Sequence, residues 1–356
     1  MPAQRAADLD ELLSFQLLGS LAGPVESVQS VPLEAPGYSG ASLSRVFLEH
    51  PGARQTRLVL KRIQLGSNWV ADRSGDTVGR EAALLDERAL DSVWTVFSSP
   101  YRAYAHRGQS VAILMDDLTD HLLPDADDPL TVGQEDGLLS ALANLHAMFW
   151  EDDALDLPWL ASPLQILGLL ASETLPRNIG DMQVAPVLEL AVQGWDRAFS
   201  LLPGAAANVL RQPLEQVAAE YIDLPRTLVH GDAKIANFAF LPGGRVAAFD
   251  WALVGAGPCT LDLGWYLAVN ASRLARPREG VIARYRELLE SALGETLADS
   301  LWERLVAFGV ITGARLLLWA KVPMDVNAPE NDRAEWKWWV DRLIASAHHP
   351  AICQDK

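Results

Sequence analysis

The 356-residue chain contains little cysteine and no long uninterrupted apolar run. Its two cysteines, Cys259 and Cys353, are too few for a disulfide framework and lack the spacing of a zinc site, which favours a reducing compartment. The most apolar stretch, residues 306–320, is broken by Arg315 and is too short to cross a membrane. The first residues are acidic where a secretion signal needs an apolar core. Together these absences predict a cytoplasmic protein.

Positive charge is also scarce, with 29 Lys and Arg against 46 Asp and Glu and a net charge of −17. Such a surface repels nucleic acid and anionic membranes, so neither is expected as a partner. The excess acid has two interpretations, namely solubility or attraction of a cationic substrate. Because 49% of the residues are hydrophobic, the chain can bury a substantial core, and its length favours two lobes.

The N-terminal third is dominated by strand patterns. Residues 7–22 have the apolar spacing of a short amphipathic helix. Five segments with the composition of strands follow, at 25–34, 42–50, 56–63, 94–106 and 110–118. A helical pattern at 77–90 separates the third of them from the fourth. This order predicts an antiparallel sheet with one main helix packed on it.

The rest of the chain is mostly helical in pattern. An acidic segment with prolines, residues 116–130, separates the two parts. A helix pattern then begins after Thr131, a residue type that often caps helix N-termini. We predict an N-terminal lobe over residues 1–117 and a C-terminal lobe over residues 118–356.

Chemistry is concentrated in LVHGDAKIANFAF, residues 228–240, where polar residues lie between apolar runs. An Asp that accepts a hydroxyl proton, followed by an Asn and a second Asp that bind magnesium, is the arrangement that phosphoryl transfer requires. Asp232, Asn237 and Asp250 provide this set, and magnesium prefers such hard oxygen ligands. Lys234 can reach the transferred phosphate and offset its charge. The candidate catalytic residues are therefore Asp232 and Lys234, and the candidate metal ligands are Asn237 and Asp250.

The strings HGDAKIAN and FDWA resemble the motifs of the aminoglycoside phosphotransferase and choline kinase-like superfamily, small-molecule relatives of the protein kinases. The resemblance implies an α+β, bilobal, protein kinase-like fold with a small antiparallel-sheet N-lobe and a large, mostly helical C-lobe. It implies Mg²⁺ as cofactor and ATP or GTP as phosphate donor, and the choice between the two nucleotides stays open. It also implies that residues 155–225 form a substrate-binding insertion.

The segment APGYSGASLSRVF is similar to the family's phosphate-covering loop. Glycines there let the backbone approach a phosphate, and serines can donate hydrogen bonds to it. The same composition is also common in plain hairpins. The nucleotide-binding candidates in this segment are Gly37, Ser39, Gly40 and Ser42.

Further nucleotide contacts follow from the resemblance. Lys61, in the third strand pattern, is similar to the lysine that binds the α- and β-phosphates. Glu81 is similar to its helical carboxylate partner, with Glu87 as the alternative. Backbone groups around Asp116 and Leu118 are expected to bind the nucleotide base.

His230 and Asp262 are similar to residues that support the catalytic loop in this family, so both are predicted to have structural roles. The acceptor is harder to predict. Three of the twelve tryptophans, Trp265, Trp336 and Trp339, are candidates for an aromatic acceptor wall, and core packing is the alternative for each.

We therefore predict a nucleotide- and Mg²⁺-dependent phosphotransferase that modifies a hydroxyl group of an aminoglycoside-, choline- or sugar and amino-alcohol-like small molecule. Because the tract 155–225 has few acidic residues, a metabolic acceptor is favoured over a polycationic antibiotic. A catalytically inactive nucleotide-binding scaffold on the same fold is one alternative. A protein kinase is another, although the chain shows no activation-segment pattern. A monomer or a homodimer is expected.

Overall fold

A computed structural model describes residues 3–33, 40–123, 128–175, 186–323 and 328–346. In these residues the strands, numbered in chain order, are β1 (Gln4–Arg5), β2 (Ser27–Pro32), β3 (Ser42–His50), β4 (Arg54–Gln64), β5 (Tyr101–Arg107), β6 (Ser110–Asp116), β7 (Thr227–Val229), β8 (Phe238–Leu241), β9 (Arg245–Ala248) and β10 (Gly255–Gly257). The α-helices are α1 (Phe15–Ala22), α2 (Trp69–Ser74), α3 (Arg80–Asp86), α4 (Val93–Val96), α5 (Val132–Met148), α6 (Pro163–Leu167), α7 (Pro186–Leu201), α8 (Gly204–Arg211), α9 (Leu214–Glu220), α10 (Thr260–Val269), α11 (Arg278–Leu293), α12 (Asp299–Leu317) and α13 (Glu330–Ser346).

The chain divides into two compact units. The first contains residues 1–124 and 236–252, and the second contains residues 125–235 and 253–356. The hairpin of β8 and β9 belongs to the first unit through its contacts. The N–H of Ser98 donates to the carbonyl of Val246 at 2.9 Å, and the rings of Phe97 and Phe238 lie 6.0 Å apart.

A six-stranded sheet forms the framework of the first unit, in the order β1-β5-β6-β4-β3-β2. Neighbouring strands are antiparallel, except that β1 pairs with β5 in parallel. Side chains alternate between the two faces of a strand. Leu58 and Leu60 of β4 lie in the core with Leu17 and Leu18 of α1. Lys61 therefore extends from the opposite face.

The predicted strands at 42–50, 56–63 and 110–118 are confirmed as β3, β4 and β6, and the predicted sheet with a helical remainder is also confirmed. The prediction of a strand beginning at residue 94 is wrong, because residues 93–96 form α4. Trp94 packs edge-on against Trp251 with ring centroids 6.0 Å apart, and this packing outweighs the strand preference of the segment.

The predicted helix over residues 7–22 is shorter than expected. The side chain of Ser14 accepts a hydrogen bond from the N–H of Leu17, so α1 begins at Phe15, and a 3₁₀ turn over Glu11–Leu13 precedes it. Helix α2, over Trp69–Ser74, was not predicted. Its N-cap is Asn68, which binds the N–H of Ala71.

The second unit is mostly helical in its described residues. Thr131 and Gln134 form a reciprocal capping box at the start of α5, which confirms the predicted helix start. Strands β7 and β10 form a short antiparallel pair. Within the described part of the chain, no helix is both long and apolar enough to cross a membrane.

Buried tyrosines predict a loss of stability in alkali. Burial raises the pKa of Tyr221 to about 12. Burial is also the main cause of a raised pKa at Tyr101, Tyr104, Tyr266 and Tyr285. An unfolded tyrosine ionises near pH 10, so above about pH 10 the unfolded chain binds fewer protons than the folded one. The free energy of unfolding should therefore fall as the pH rises from about 10 to 12.

Denaturant unfolding at a series of alkaline pH values, with tyrosinate absorbance recorded in parallel, measures this effect. We expect most of the tyrosinate signal to appear together with unfolding. A folded protein in which most tyrosines ionise near pH 10 would contradict the expectation.

Candidate active site

The first unit contains a buried ion-pair cluster centred on Lys61. Its ammonium donates to Glu81 Oε2 and to Asp250 Oδ1, each at 2.6 Å. The Lys61 and Glu81 side chains are only 8% and 2% exposed. Burial by itself lowers the pKa of Lys61, but the two carboxylates raise it and the net shift is upward. Lys61 therefore stays charged at neutral pH.

The geometry selects Glu81 as the partner of Lys61. Glu81 lies in the first turn of α3 and also accepts hydrogen bonds from the Tyr101 hydroxyl, at 2.7 Å, and from the N–H of Asp250, at 3.1 Å. The alternative, Glu87, instead accepts the N–H of Ala89 and caps a 3₁₀ turn. A carboxylate fixed by three donors can hold the lysine in one position.

Asp250 has an unusual backbone. Its φ is +63°, a left-handed conformation that costs a residue with a Cβ about 1–2 kcal/mol. Its bonds to Lys61 and Glu81 hold it there. Strained residues of this kind are concentrated at functional sites, where the surrounding contacts fix them.

Asn237 and Asp250 flank the paired strands β8 and β9. Phe238 pairs with Ala248, and the N–H of Phe249 donates to the Asn237 carbonyl at 3.1 Å. The side chains of Asn237 and Asp250 offer hard oxygen atoms, one of them from a carboxylate. This donor set fits Mg²⁺, which usually binds one or two carboxylates together with substrate phosphates and water.

The predicted phosphate-covering loop is only partly described. Gly37 and Ser39 lie outside the described residues. Gly40 has a φ of +84°, a conformation that suits glycine. Ser42 begins β3 and is exposed, opposite Arg62 of β4.

The predicted base-binding segment lies at the end of β6. The N–H of Asp116 donates to the carbonyl of Pro100 at 2.8 Å, and its carboxylate accepts from Arg102 at 2.8 Å. The carbonyl of Leu118 accepts the N–H of His121. The N–H of Asp116 is therefore already used within the protein.

The second unit contains the other catalytic candidates, in the loop after β7. Lys234 Nζ lies 3.0 Å from Asp232 Oδ2. The indole N–H of Trp265 donates to Asp232 Oδ1 at 2.7 Å. The side chains of Asp232 and Lys234 are 16% and 36% exposed, so a small molecule can reach both. Each oxygen of the Asp232 carboxylate thus has a different donor.

Asp262, near the start of α10, binds the backbone of this loop. Its carboxylate accepts the N–H of His230 at 2.7 Å and the N–H of Gly231 at 2.8 Å. His146 Nε2 lies 3.1 Å from the same carboxylate, and its Nδ1 is hydrogen-bonded to the Tyr285 hydroxyl. His230 Nδ1 accepts the N–H of Asp232 at 3.2 Å. These buried contacts fix the path of the loop.

Gly231 meets two requirements of this loop. Its φ is +78°, and a Cβ there would lie 2.2 Å from the carbonyl oxygen of Leu253. Any larger residue would therefore be strained and would also collide with backbone. This explains why glycine stands between His230 and Asp232.

Asn270, at the C-terminal end of α10, is a loop support that the sequence pattern does not reveal. Its Oδ1 accepts the N–H of Ile235 at 2.9 Å, and its Nδ2 donates to the Ala233 carbonyl at 3.2 Å. An Asn after a helical pattern is typical of a helix end. Nothing local indicates that its side chain binds a loop 35 residues earlier in the chain.

The tryptophans predicted to form an acceptor wall are in different environments. Trp339 of α13 is 1% exposed and its ring packs against Gly313 of α12. It is a core residue, so its ring has no face available for an acceptor. Trp336 is partly buried, and Trp265 contacts Asp232 as described above.

Helix α10 lies unusually close to α12. A Cβ on Gly264 would lie 1.9 Å from the carbonyl oxygen of Gly309. Gly264→Ala should therefore lower the free energy of unfolding by roughly 2–3 kcal/mol through overpacking, and should reduce activity because α10 supports the catalytic loop. Denaturant unfolding measures the first effect.

Gly137→Ala is the matched control, because Gly137 is helical and a Cβ there meets nothing within 4 Å. Alanine in that helix should raise the free energy of unfolding by about 0.5–1 kcal/mol. Equal effects of the two substitutions would contradict the close approach of α10 to α12.

A comparison with known protein families assigns the chain to one of them. A profile of the phosphotransferase enzyme family matches residues 35–296, more than half of the chain. The chain belongs to this family and is thus a phosphotransferase. No curated protein matches the chain.

Several solved structures are similar. A choline kinase, LicA from Streptococcus pneumoniae, is 12% identical, with 93% of this chain and 97% of that chain covered and a TM-score of 0.45. An aminoglycoside phosphotransferase from Alicyclobacillus acidocaldarius is 12% identical, with 91% and 90% covered and a TM-score of 0.46. A macrolide 2'-phosphotransferase, MphH from Brachybacterium faecium, is 16% identical, with 95% and 98% covered and a TM-score of 0.41.

Proposed function

We propose that the protein transfers the γ-phosphate of a nucleoside triphosphate to a hydroxyl group of a small molecule, in a Mg²⁺-dependent reaction in the cytoplasm. The observation that carries this proposal is the buried Lys61–Glu81 ion pair at 2.6 Å, with Asp250 on the same ammonium. Enzymes of kinase type need such a lysine–glutamate pair and a nearby metal-binding Asp in place before phosphoryl transfer can occur.

Lys61 binds the α- and β-phosphates in this proposal. An ammonium group has three N–H donors, and Glu81 and Asp250 each accept one of them. A buried, permanently charged donor stabilises phosphate strongly, because few water molecules screen it. Gly37, Ser39, Gly40 and Ser42 remain the proposed covering loop, and the backbone around Asp116 and Leu118 remains the proposed base-binding segment.

Asn237 and Asp250 are the proposed ligands of Mg²⁺. Bound together with the nucleotide, the metal ion would neutralise charge on the β- and γ-phosphates. The structural contribution of the chain is the fixed backbone of Asp250, which is held in its left-handed conformation by Lys61 and Glu81.

Asp232 is the proposed catalytic base. It accepts the proton of the acceptor hydroxyl as the acceptor oxygen bonds to the γ-phosphorus, and the bond from that phosphorus to the β-phosphate oxygen breaks to release the nucleoside diphosphate. Lys234, 3.0 Å from Asp232, is placed to offset charge on the transferred group. His230, Asp262 and Asn270 hold the loop that carries both residues.

The proposal also assigns the two lobes of the chain and the class of acceptor. We propose residues 1–117 as the nucleotide-binding lobe, residues 118–356 as the catalytic and acceptor-binding lobe, and residues 155–225 as the acceptor-binding insertion. A choline-, amino-alcohol- or sugar-like metabolite is favoured over a polycationic antibiotic, because acidic residues are not more frequent in the insertion than in the whole chain.

The proposal is tested by nucleoside diphosphate release from MgATP and MgGTP in the presence of choline, ethanolamine, other amino alcohols, sugars, aminoglycosides, spectinomycin and macrolides. We expect acceptor-dependent release with at least one compound. Binding of MgATP without acceptor-dependent release from any compound would instead favour the inactive scaffold.

A further inference from the structure

Two side chains of helix α10, Asp262 and Trp265, contact the catalytic loop, and so does Asn270, the residue that follows the helix. Asp262 and Asn270 bind backbone groups of the loop. Trp265, in the middle of the helix, donates its indole N–H to Asp232 Oδ1 at 2.7 Å. This hydrogen bond therefore acts on the orientation of the Asp232 carboxylate and not on the backbone of the loop.

A carboxylate on a short side chain has no single preferred orientation, because rotation about its last bond is broad and roughly two-fold. In this site the two carboxylate oxygens of Asp232 have different donors. Trp265 is a donor only and occupies Oδ1, whereas the Lys234 ammonium lies 3.0 Å from Oδ2. Because Lys234 is on a flexible stem and is 36% exposed, the indole is the more rigid of the two donors.

The helix that carries Trp265 is itself fixed. Gly264, the preceding residue, lies against the backbone of Gly309, where no side chain would fit. The indole N–H is thus presented from a backbone that cannot shift without unpacking α10 from α12. A rigid donor at 2.7 Å can hold Asp232 in one orientation through the catalytic cycle.

We infer that Trp265 is a positioning residue, which orients Asp232 so that Oδ2 accepts the proton of the acceptor hydroxyl. This role replaces a place in an acceptor wall. The inference rests on the proposed function, because it assigns Asp232 as the base. Small displacements of a reacting group reduce rates strongly, so loss of the indole N–H should lower kcat by roughly 10- to 100-fold.

The experiment compares Trp265→Phe with the unaltered chain, using MgATP and an acceptor that the panel of choline, ethanolamine, sugars and antibiotics shows to be phosphorylated. Phenylalanine keeps an aromatic ring but has no N–H. We expect kcat to fall by roughly 10- to 100-fold. The KM of both substrates should change by less than about twofold, because the lost hydrogen bond orients the reacting group and does not bind either substrate.

Trp338→Phe is the matched control. The indole of Trp338 in α13 also donates to a carboxylate, Glu279 Oε1, at 2.8 Å, so the same type of bond is lost to a carboxylate of α11 and not to one of the catalytic loop. Its kcat should equal that of the unaltered chain.

A double-mutant cycle separates positioning from a merely structural effect. In an Asp232→Ala background, Trp265→Phe should produce no further fall in the residual rate, because the carboxylate it orients is gone. An additional fall of the same size there would show a general structural role and overturn the inference. A raised acceptor KM with normal kcat would restore Trp265 to the acceptor wall and overturn it as well.

Different results would contradict the proposed function and the positioning role of Trp265. No phosphate transfer by the unaltered chain to any acceptor would contradict the proposed function and this inference with it. Transfer by the unaltered chain at the same kcat as by Trp265→Phe would contradict the inference alone.

Discussion

Asp232→Ala should reduce phosphate transfer to a small residual rate and leave nucleotide binding intact. The Asp232 carboxylate bonds to Lys234 and Trp265 in the loop after β7, whereas the proposed phosphate ligand Lys61 is held by Glu81 and Asp250. Loss of a positioned base typically reduces the rate by about 10²- to 10⁴-fold. Steady-state turnover and equilibrium binding of MgATP, measured on the same preparation, check the two parts.

Glu287→Ala is the control for this substitution. Glu287 is also in the second unit, but it pairs with Arg284 at 2.9 Å and is largely exposed. Its removal should change neither turnover nor binding. If Asp232→Ala instead weakened MgATP binding as much as it reduced turnover, Asp232 would be a nucleotide ligand and not the base.

Asp250→Ala should have the opposite signature, with loss of Mg²⁺-dependent nucleotide binding. It removes the proposed metal ligand and one of the two carboxylates on Lys61. A charge-assisted contact is worth about 1.5–3 kcal/mol, so the Kd for MgATP should rise roughly 10- to 100-fold. Titrations with and without Mg²⁺ measure the effect, and the difference between them should largely disappear.

Two further variants separate charge from backbone strain. Asp250→Asn keeps an oxygen and a side chain that tolerates a positive φ, so it should bind MgATP more tightly than Asp250→Ala and more weakly than the unaltered chain. Asp86→Ala removes a carboxylate that pairs with Arg5 in the same unit and should have no effect on binding. Unchanged Mg²⁺ dependence in Asp250→Ala would contradict a metal-binding role.

Much of the sheet framework follows from the sequence, because the information is local. In β3 and β4 the apolar residues alternate so that Val46, Leu48, Leu58 and Leu60 share one face, which is the period that strands impose. The start of α5 follows from Thr131, whose capping bonds involve a residue three positions later. The position of Trp94 depends instead on contact with Trp251, which is 157 positions away (251 − 94), and no local pattern reveals it.

The same distinction applies to the site. Asp232, Lys234 and Asn237 stand within one short motif, and Lys61 and Glu81 follow from the family resemblance. The residues that support the catalytic loop could not be predicted in detail. Asn270 and Trp265 bind loop residues that lie 35 and 33 positions earlier in the chain, and sequence spacing does not show which side-chain atoms meet. The burial of Trp339 likewise depends on Gly313 in a different helix.

The most direct test follows the γ-phosphate itself. MgATP labelled at the γ-phosphate is incubated with each acceptor, once with the unaltered chain and once with Asp232→Ala. We predict label in a phosphorylated acceptor for the unaltered chain, and label that appears about 10²- to 10⁴-fold more slowly for the variant. Label that stays in the nucleotide or appears only as inorganic phosphate, with every acceptor, would contradict a small-molecule phosphotransferase that uses Asp232 as its base.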